Sequence, residues 1–136
     1  MIYEFEVPGE ITGKARQRLN ARSGKVYTPT KTKNYEYLTR FYFTQKYQDY
    51  TPVEGRVKIS IIAYFDIPKS TSKKKEAGML ENKISPTKKP DIDNITKVVL
   101  DALNKFAYKD DTQITEITVV KKYASTPKVK IKIEEY

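Results

Sequence analysis

Pro90-Asp91-Ile92-Asp93-Asn94-Ile95-Thr96-Lys97-Val98-Val99-Leu100-Asp101-Ala102-Leu103-Asn104, followed past Lys105 by Phe106-Ala107-Tyr108-Lys109-Asp110-Asp111, carries two patterns at once. Ile95, Val98, Val99, Ala102, Leu103 and Phe106 recur at helical spacing and form one apolar stripe, whereas Asp93, Lys97, Asp101 and Lys105 recur every fourth residue on the other side. The pattern predicts a helix with a buried face and a charged face. Pro90 disfavours helix at the residue before it, and Asp91 or Asp93 can each cap the first free N–H groups, so the helix starts between them.

Caps and four-apart charge pairs are common, and each contributes only a few tenths to ~1 kcal/mol. They would explain each charge singly. They do not require two carboxylates at spacing two, a second pair at Asp110 and Asp111, and a lysine one turn into the helix.

Working outward, 136 residues with 38% hydrophobic content suit one globular domain with a real core. No apolar run approaches the ~20 residues of a membrane span, and Met1-Ile2-Tyr3-Glu4-Phe5-Glu6 lacks the basic start and apolar stretch of a signal peptide, so a soluble cytoplasmic protein with no membrane partner is expected. Cysteine and histidine are both absent, which removes disulfides, Cys/His zinc sites, thiol nucleophiles and an imidazole base. Catalysis would fall to carboxylates, lysine, hydroxyls or a metal. Aspartates without nitrogen or sulfur ligands suit a hard cation such as Mg²⁺, with Mn²⁺ as a substitute.

The net charge of +9 is uneven. Residues 14–33 hold Lys14, Arg16, Arg18, Arg22, Lys25, Lys31 and Lys33 with no acid, and residues 69–89 hold seven lysines, including Lys73, Lys74, Lys75, Lys88 and Lys89, against Glu76 and Glu81. Two basic segments flanking an acidic helix fit a chain that grips a polyanion and works on its backbone.

In chain order, residues 2–7 alternate as a half-buried strand ended by Pro8-Gly9, and Gly24 suits a short basic hairpin within residues 17–28. Thr32 is a candidate cap for a helix over 32–48, whose Tyr35, Leu38, Phe41, Tyr42 and Gln45 share a side and are expected to face the core rather than stack on bases. Val57, Ile59, Ile61, Ala63 and Phe65 mark a long central strand. Pro68–Lys89 reads as a long loop with at most a helical turn over Glu76–Lys83. Ile114–Tyr123 and Lys128–Glu135 read as strands of an antiparallel hairpin through Ala124-Ser125-Thr126-Pro127. The expected fold is α+β, β-α-β-α-β-β, with about four strands in a mixed sheet and helices on one face.

Two motifs fail on inspection. Asp91-Ile92-Asp93-Asn94 starts like a calcium loop, but Thr96 stands at the glycine position and Ala102 at the glutamate position. In Thr12-Gly13-Lys14-Ala15 the earlier glycine of a phosphate-binding loop is misplaced and Ala15 replaces its hydroxyl residue, so no nucleotide cofactor is expected.

Pro90-Asp91-Ile92-Asp93-Asn94 with Lys97, then Asp101-Ala102-Leu103-Asn104, then Asp110-Asp111-Thr112-Gln113-Ile114, and Lys121 or Lys122 in the next strand, resembles the RusA family of Holliday junction resolvases of bacterial and phage genomes. Gly13-Lys14-Ala15-Arg16-Gln17-Arg18 and Tyr27-Thr28-Pro29 resemble the amino-terminal region of phage-type members. The resemblance implies a dimeric, magnesium-dependent endonuclease that nicks four-way DNA junctions in pairs, in recombination and repair. Its acidic metal positions fall on Asp91, Asp93 and Asp111, with Asp110 a further candidate, and its required lysine on Lys97. Asp101 belongs to the pattern and reads as a supporting residue. The connection from Asn104 to Asp110 is one residue shorter than in some members, which leaves the choice between Asp110 and Asp111 open. Lys14, Arg16, Arg18, Arg22, Lys25, Lys73, Lys74, Lys75, Lys88 and Lys89 are the expected DNA contacts.

A noncatalytic binder of branched DNA is the rival from another class, but carboxylates repel phosphate and a pure binder would avoid them. A nuclease for flaps or other branched DNA shares the same metal chemistry and differs only in the shape it accepts.

Overall fold

The computed structural model describes all of residues 1–136. In chain order it holds β1 (Ile2–Pro8), a two-stranded ribbon of β2 (Arg18–Leu19) and β3 (Val26–Tyr27), α1 (Thr30–Lys46), β4 (Val57–Asp66), α2 (Lys73–Leu80), α3 (Ile92–Leu103), β5 (Ile114–Ala124) and β6 (Lys128–Glu135). The main sheet runs β1-β6-β4-β5, with β4 parallel to β5 and antiparallel to β6, and β6 antiparallel to β1.

Alternation decides the faces. Tyr3, Phe5 and Val7, the five odd-numbered residues from Val57 to Phe65, and Val129, Ile131 and Ile133 are buried on one side, and their neighbours stay open to solvent. Onto the buried side α3 lays Ile95, Val98, Val99, Ala102 and Leu103, the stripe its spacing announces. Each large apolar side chain removed from water there contributes roughly 1.5–3 kcal/mol. One core cluster joins sheet and helices, so this is a single α+β domain.

The expected β5–β6 hairpin is corrected: both strands pair with β4, which lies between them. Four Cα steps from Ala124 to Lys128 reach up to about 13–15 Å, enough to straddle two strand spacings of about 4.8 Å each. β5 arrives parallel to β4 because the connection through α3 is a crossover, so β4 fills the place a hairpin would leave to β5.

Helix α1 also departs from expectation. It starts at Thr30 behind Pro29 and no side chain caps it; Thr32 is buried inside it, its Oγ1 accepting a hydrogen bond from the Ala15 N–H at 3.2 Å. Its buried stripe is Thr32, Tyr35, Glu36, Thr39 and Phe43, while Leu38, Phe41 and Gln45 face solvent. Three of its five members are polar because Ala15 and Lys14 meet two of them and the helix's own Tyr35 carbonyl meets the third, and hydropathy alone points to the wrong face. Phe43 then meets Tyr3, Phe5, Tyr47 and Tyr50 in an aromatic cluster that fastens α1 to β1. Within the expected loop, α2 is a full helix over Lys73–Leu80, begun by the Ser72 hydroxyl accepting from the Lys75 N–H at 3.3 Å. Lys73, Lys74 and Lys75 therefore sit on its first turn.

Candidate active site

The start of α3 opens onto a cleft of about 760 Å³ walled by residues 10–15 and Arg18, by Pro29, Lys31 and Thr32 at the start of α1, by residues 87–89, and by Lys121 of β5. Asp91 and Asn94 stand at its edge. The sequence brings the arm in tightly: a Cβ on Gly13 would lie 2.5 Å from Pro90 Cβ, and the Lys14 N–H donates to the Asn94 carbonyl at 3.1 Å. Only glycine lets the arm pass so close to the helix start. Arg18, Lys31, Lys88, Lys89 and Lys121 thus converge from four separate segments.

Asp91 occupies the N-cap position with extended backbone, but its side chain caps no N–H; Oδ1 instead accepts from Asn94 Nδ2 at 2.5 Å. Asp93 and Lys97 form a surface pair at 3.9 Å, both well exposed, on the turn beside the cleft. Such a pair contributes at most a few tenths of a kcal/mol, so neither residue is needed for the fold.

Asp111 lies elsewhere, beyond the carboxyl end of α3, half-buried beside Tyr108. The single hydroxyl proton of Tyr108 goes to the Leu100 carbonyl at 3.0 Å, which leaves the buried Asp111 Oδ1 without a donor. Burial pushes the Asp111 carboxyl above the usual range, and the charges of Asp101 and Asp110 add to the rise. Burial, reinforced by the same three carboxylates, raises the Tyr108 hydroxyl and keeps it neutral. Asp110 is committed to a cap: its Oδ2 accepts from the Thr112 N–H and hydroxyl, at 3.1 and 2.5 Å, which holds its carboxyl below the usual range.

A raised carboxyl in the folded state binds its proton more tightly than the unfolded chain does. Its stabilising effect is present below the ordinary aspartate value and lost as pH rises through the raised one. Asp111→Asn should therefore melt higher than wild type at neutral pH, with the gap closing as pH falls through the acid range; thermal melts from pH 3 to 7 would show it. A variant less stable than wild type at pH 7 would contradict the burial argument.

Lys14, expected at a phosphate, lines the cleft and is also held as a strut. Its Nζ stands 2.9 Å from Glu36 Oε1 and 3.0 Å from Asp101 Oδ2, and only a fifth of its side chain is exposed. Burial alone would lower its pKa, but the two carboxylates outweigh that and raise it. Arg40 closes the network, donating from Nε to the Ala102 carbonyl at 2.8 Å with its other arm 3.5 Å from Glu36.

Of the other expected contacts, Arg18, Lys88 and Lys89 line the cleft; Arg16, Arg22 and Lys25 lie exposed on or near the β2–β3 ribbon, and Lys73, Lys74 and Lys75 on α2, outside its lining. Sequence reasoning did not assign Asn94, Glu36 or Tyr108. Asn94 is readable from its place three residues after Asp91, but Glu36 and Tyr108 gain their meaning only from what packs against them.

No three carboxylates converge closely enough to hold a metal ion by themselves. The aspartates form two groups, Asp91 with Asp93 at one end of α3 and Asp111 with Asp101 toward the other. Mg²⁺ accepts this: it keeps several waters and needs only one or two carboxylates plus substrate phosphate. The orphaned Oδ1 of Asp111 is a donor atom suited to such an ion.

The family model described as Endodeoxyribonuclease RusA matches residues 8–134. The chain is also 37% identical over 136 residues to the uncharacterized protein YqaN of Bacillus subtilis (strain 168), covering 97% of this chain and 95% of that one.

Proposed function

Because the chain belongs to the RusA endodeoxyribonuclease family, we propose that it resolves Holliday junctions by paired, symmetric nicks that depend on Mg²⁺, or Mn²⁺ in its place, with residues 1–136 acting as one nuclease unit. The observation that carries this reading is the cleft: five cations from four segments surround a wall that ends on Asp91. Lone surface lysines would not meet in this way.

Arg18, Lys31, Lys88, Lys89 and Lys121 neutralise the phosphates that border the scissile one, and release of their counterions drives binding. Asn94 holds the Asp91 carboxylate through Oδ1, which leaves Oδ2 free to turn toward the backbone. Lys97, exposed one turn above Asp93, brings a positive charge to the phosphate as negative charge builds on it. A divalent ion held by Asp91 and Asp93, with Asp111 offering a separate carboxylate toward the other end of α3, would make water nucleophilic and relieve charge on the leaving oxygen.

Two strands of a junction must be cut together, and each chain supplies one cleft. The working unit is therefore a homodimer with both clefts open to the same DNA. Incubation with a synthetic four-way junction and Mg²⁺, beside linear duplex, flap and fork, tests the assignment. Symmetric nicks in the junction alone are expected; a flap cut faster, or an intact junction, would overturn it.

A further inference from the structure

The uncovered face of the sheet is divided in charge along its length. Hydrogen-bond register places Lys128, Tyr64 and Lys122 in one row across β6, β4 and β5, and Glu6, Lys130, Ile62 and Val120 in the next. At the opposite end the rows are Glu4, Lys132, Ser60 and Thr118, then Ile2, Glu134, Lys58 and Glu116. Counting Asp66, one row beyond Tyr64 on β4, one end sets three lysines against two carboxylates; the other sets two against three. The single glutamate of the basic end, Glu6, is shared at 3.9 Å by Lys128 and 3.8 Å by Lys130, both side chains remaining more than a third exposed. Both ammonium groups hang over the Tyr64 ring, at 5.7 and 5.9 Å from its centre.

This basic end is the end that meets the cleft. Lys121 and Lys122 are consecutive in β5, and strand alternation sends the first into the cleft and the second onto the uncovered face. Lys121 Nζ in turn reaches the Lys88 carbonyl at 2.5 Å, so the cationic band runs from Lys88 through Lys121 around the free edge of β5. With strands about 4.8 Å apart, Lys122 to Lys128 spans about 10 Å, and duplex DNA presents a charge every ~1.7 Å along its axis.

We propose that Lys122, Lys128 and Lys130, grouped around Tyr64, form a second phosphate-binding surface that takes the backbone of a duplex arm as it leaves the cleft. This rests on the cleft being the nuclease site. A face with its acids and bases mixed evenly would be ordinary solvated surface; here the excess is confined to the end continuous with the cleft.

The chain contains no cysteine, so single cysteines report position without interference. Lys122→Cys bearing a photo-crosslinker should capture nucleotides of a junction arm, whereas Glu116→Cys on the acidic end of the same face should not. In parallel, Lys122→Gln/Lys128→Gln/Lys130→Gln should lower the slope of log affinity against log salt by up to about 2.7, at ~0.9 for each phosphate that is no longer neutralised, with the nicking rate of bound junction unchanged. Equal crosslinking from both cysteines, an unchanged slope, or a changed sedimentation coefficient of the free triple variant would overturn the proposal, the last by making this face a contact between copies. Failure of the unaltered protein to bind junctions at all would bring down the nuclease reading and this surface together, a result the variants alone do not produce.

Discussion

Asp91→Asn, Asp93→Asn and Asp111→Asn are each expected to slow junction cleavage by about 100-fold or more, the scale on which a single electrostatic stabiliser acts, while junction binding is kept or tightened. Loss of one negative charge weakens any hold on a cation and lessens repulsion of phosphate, so rate and affinity move in opposite directions. The three are not equivalent in place. Asp91 edges the cleft, Asp93 is exposed beside it, and Asp111 lies toward the other end of α3. Single-turnover cleavage with a gel-shift measurement in metal-free buffer separates the two effects. Wild-type cleavage by all three would remove the assignment; wild-type cleavage by Asp111→Asn alone would confine the chemistry to the cleft end. Lys97→Ala should behave like the Asp91 variant in rate with little change in affinity, since its charge is already partly offset by Asp93 before DNA arrives.

Lys14→Met should cost about 3–5 kcal/mol of stability, because it strands the buried Glu36 carboxylate without its nearer cation. For a chain of this size that lowers the melting temperature by on the order of 10 °C. Lys14→Met/Glu36→Leu should recover much of the loss, since apolar replacement of a whole buried pair is often neutral. The sign with pH follows from the raised lysine: its contribution is present at neutral pH and disappears as pH climbs through its elevated value, so the gap between wild type and Lys14→Met should narrow in strong alkali. Thermal melts of the three proteins decide this. A Lys14→Met protein as stable as wild type, but with a weaker salt dependence of DNA binding, would return Lys14 to the role of phosphate contact that its neighbours suggest.

Local pattern determined the elements whose partners are also local or uniformly apolar. The stripe of α3, the alternation in β1, β4 and β6 and the one-sided sheet follow from periodicity, because burial of an apolar face against any apolar surface satisfies them, and the exposed basic ribbon within residues 17–28 follows from the turn at Gly24. The run from Pro90 to Gln113 likewise carried the family. Tertiary structure decided what depends on contacts between distant residues. Helix α1 turns Thr32, Glu36 and Thr39 inward because Ala15, Lys14 and Arg40 meet two of them and the helix backbone the third, so its polar stripe is buried and three of its expected core residues, Leu38, Phe41 and Gln45, are exposed. β5 and β6 are parted by a strand some fifty residues earlier, since a crossover through α3 fixes which edge of β4 each can reach. Lysines alike in sequence become a strut at Lys14, cleft wall at Lys88 and Lys89, and helix surface at Lys73–Lys75, because a lysine's role is set by how deeply its ammonium group and the carboxylate it meets are buried: Lys14 and Glu36 are largely enclosed, whereas Lys88 meets Glu10 in the open.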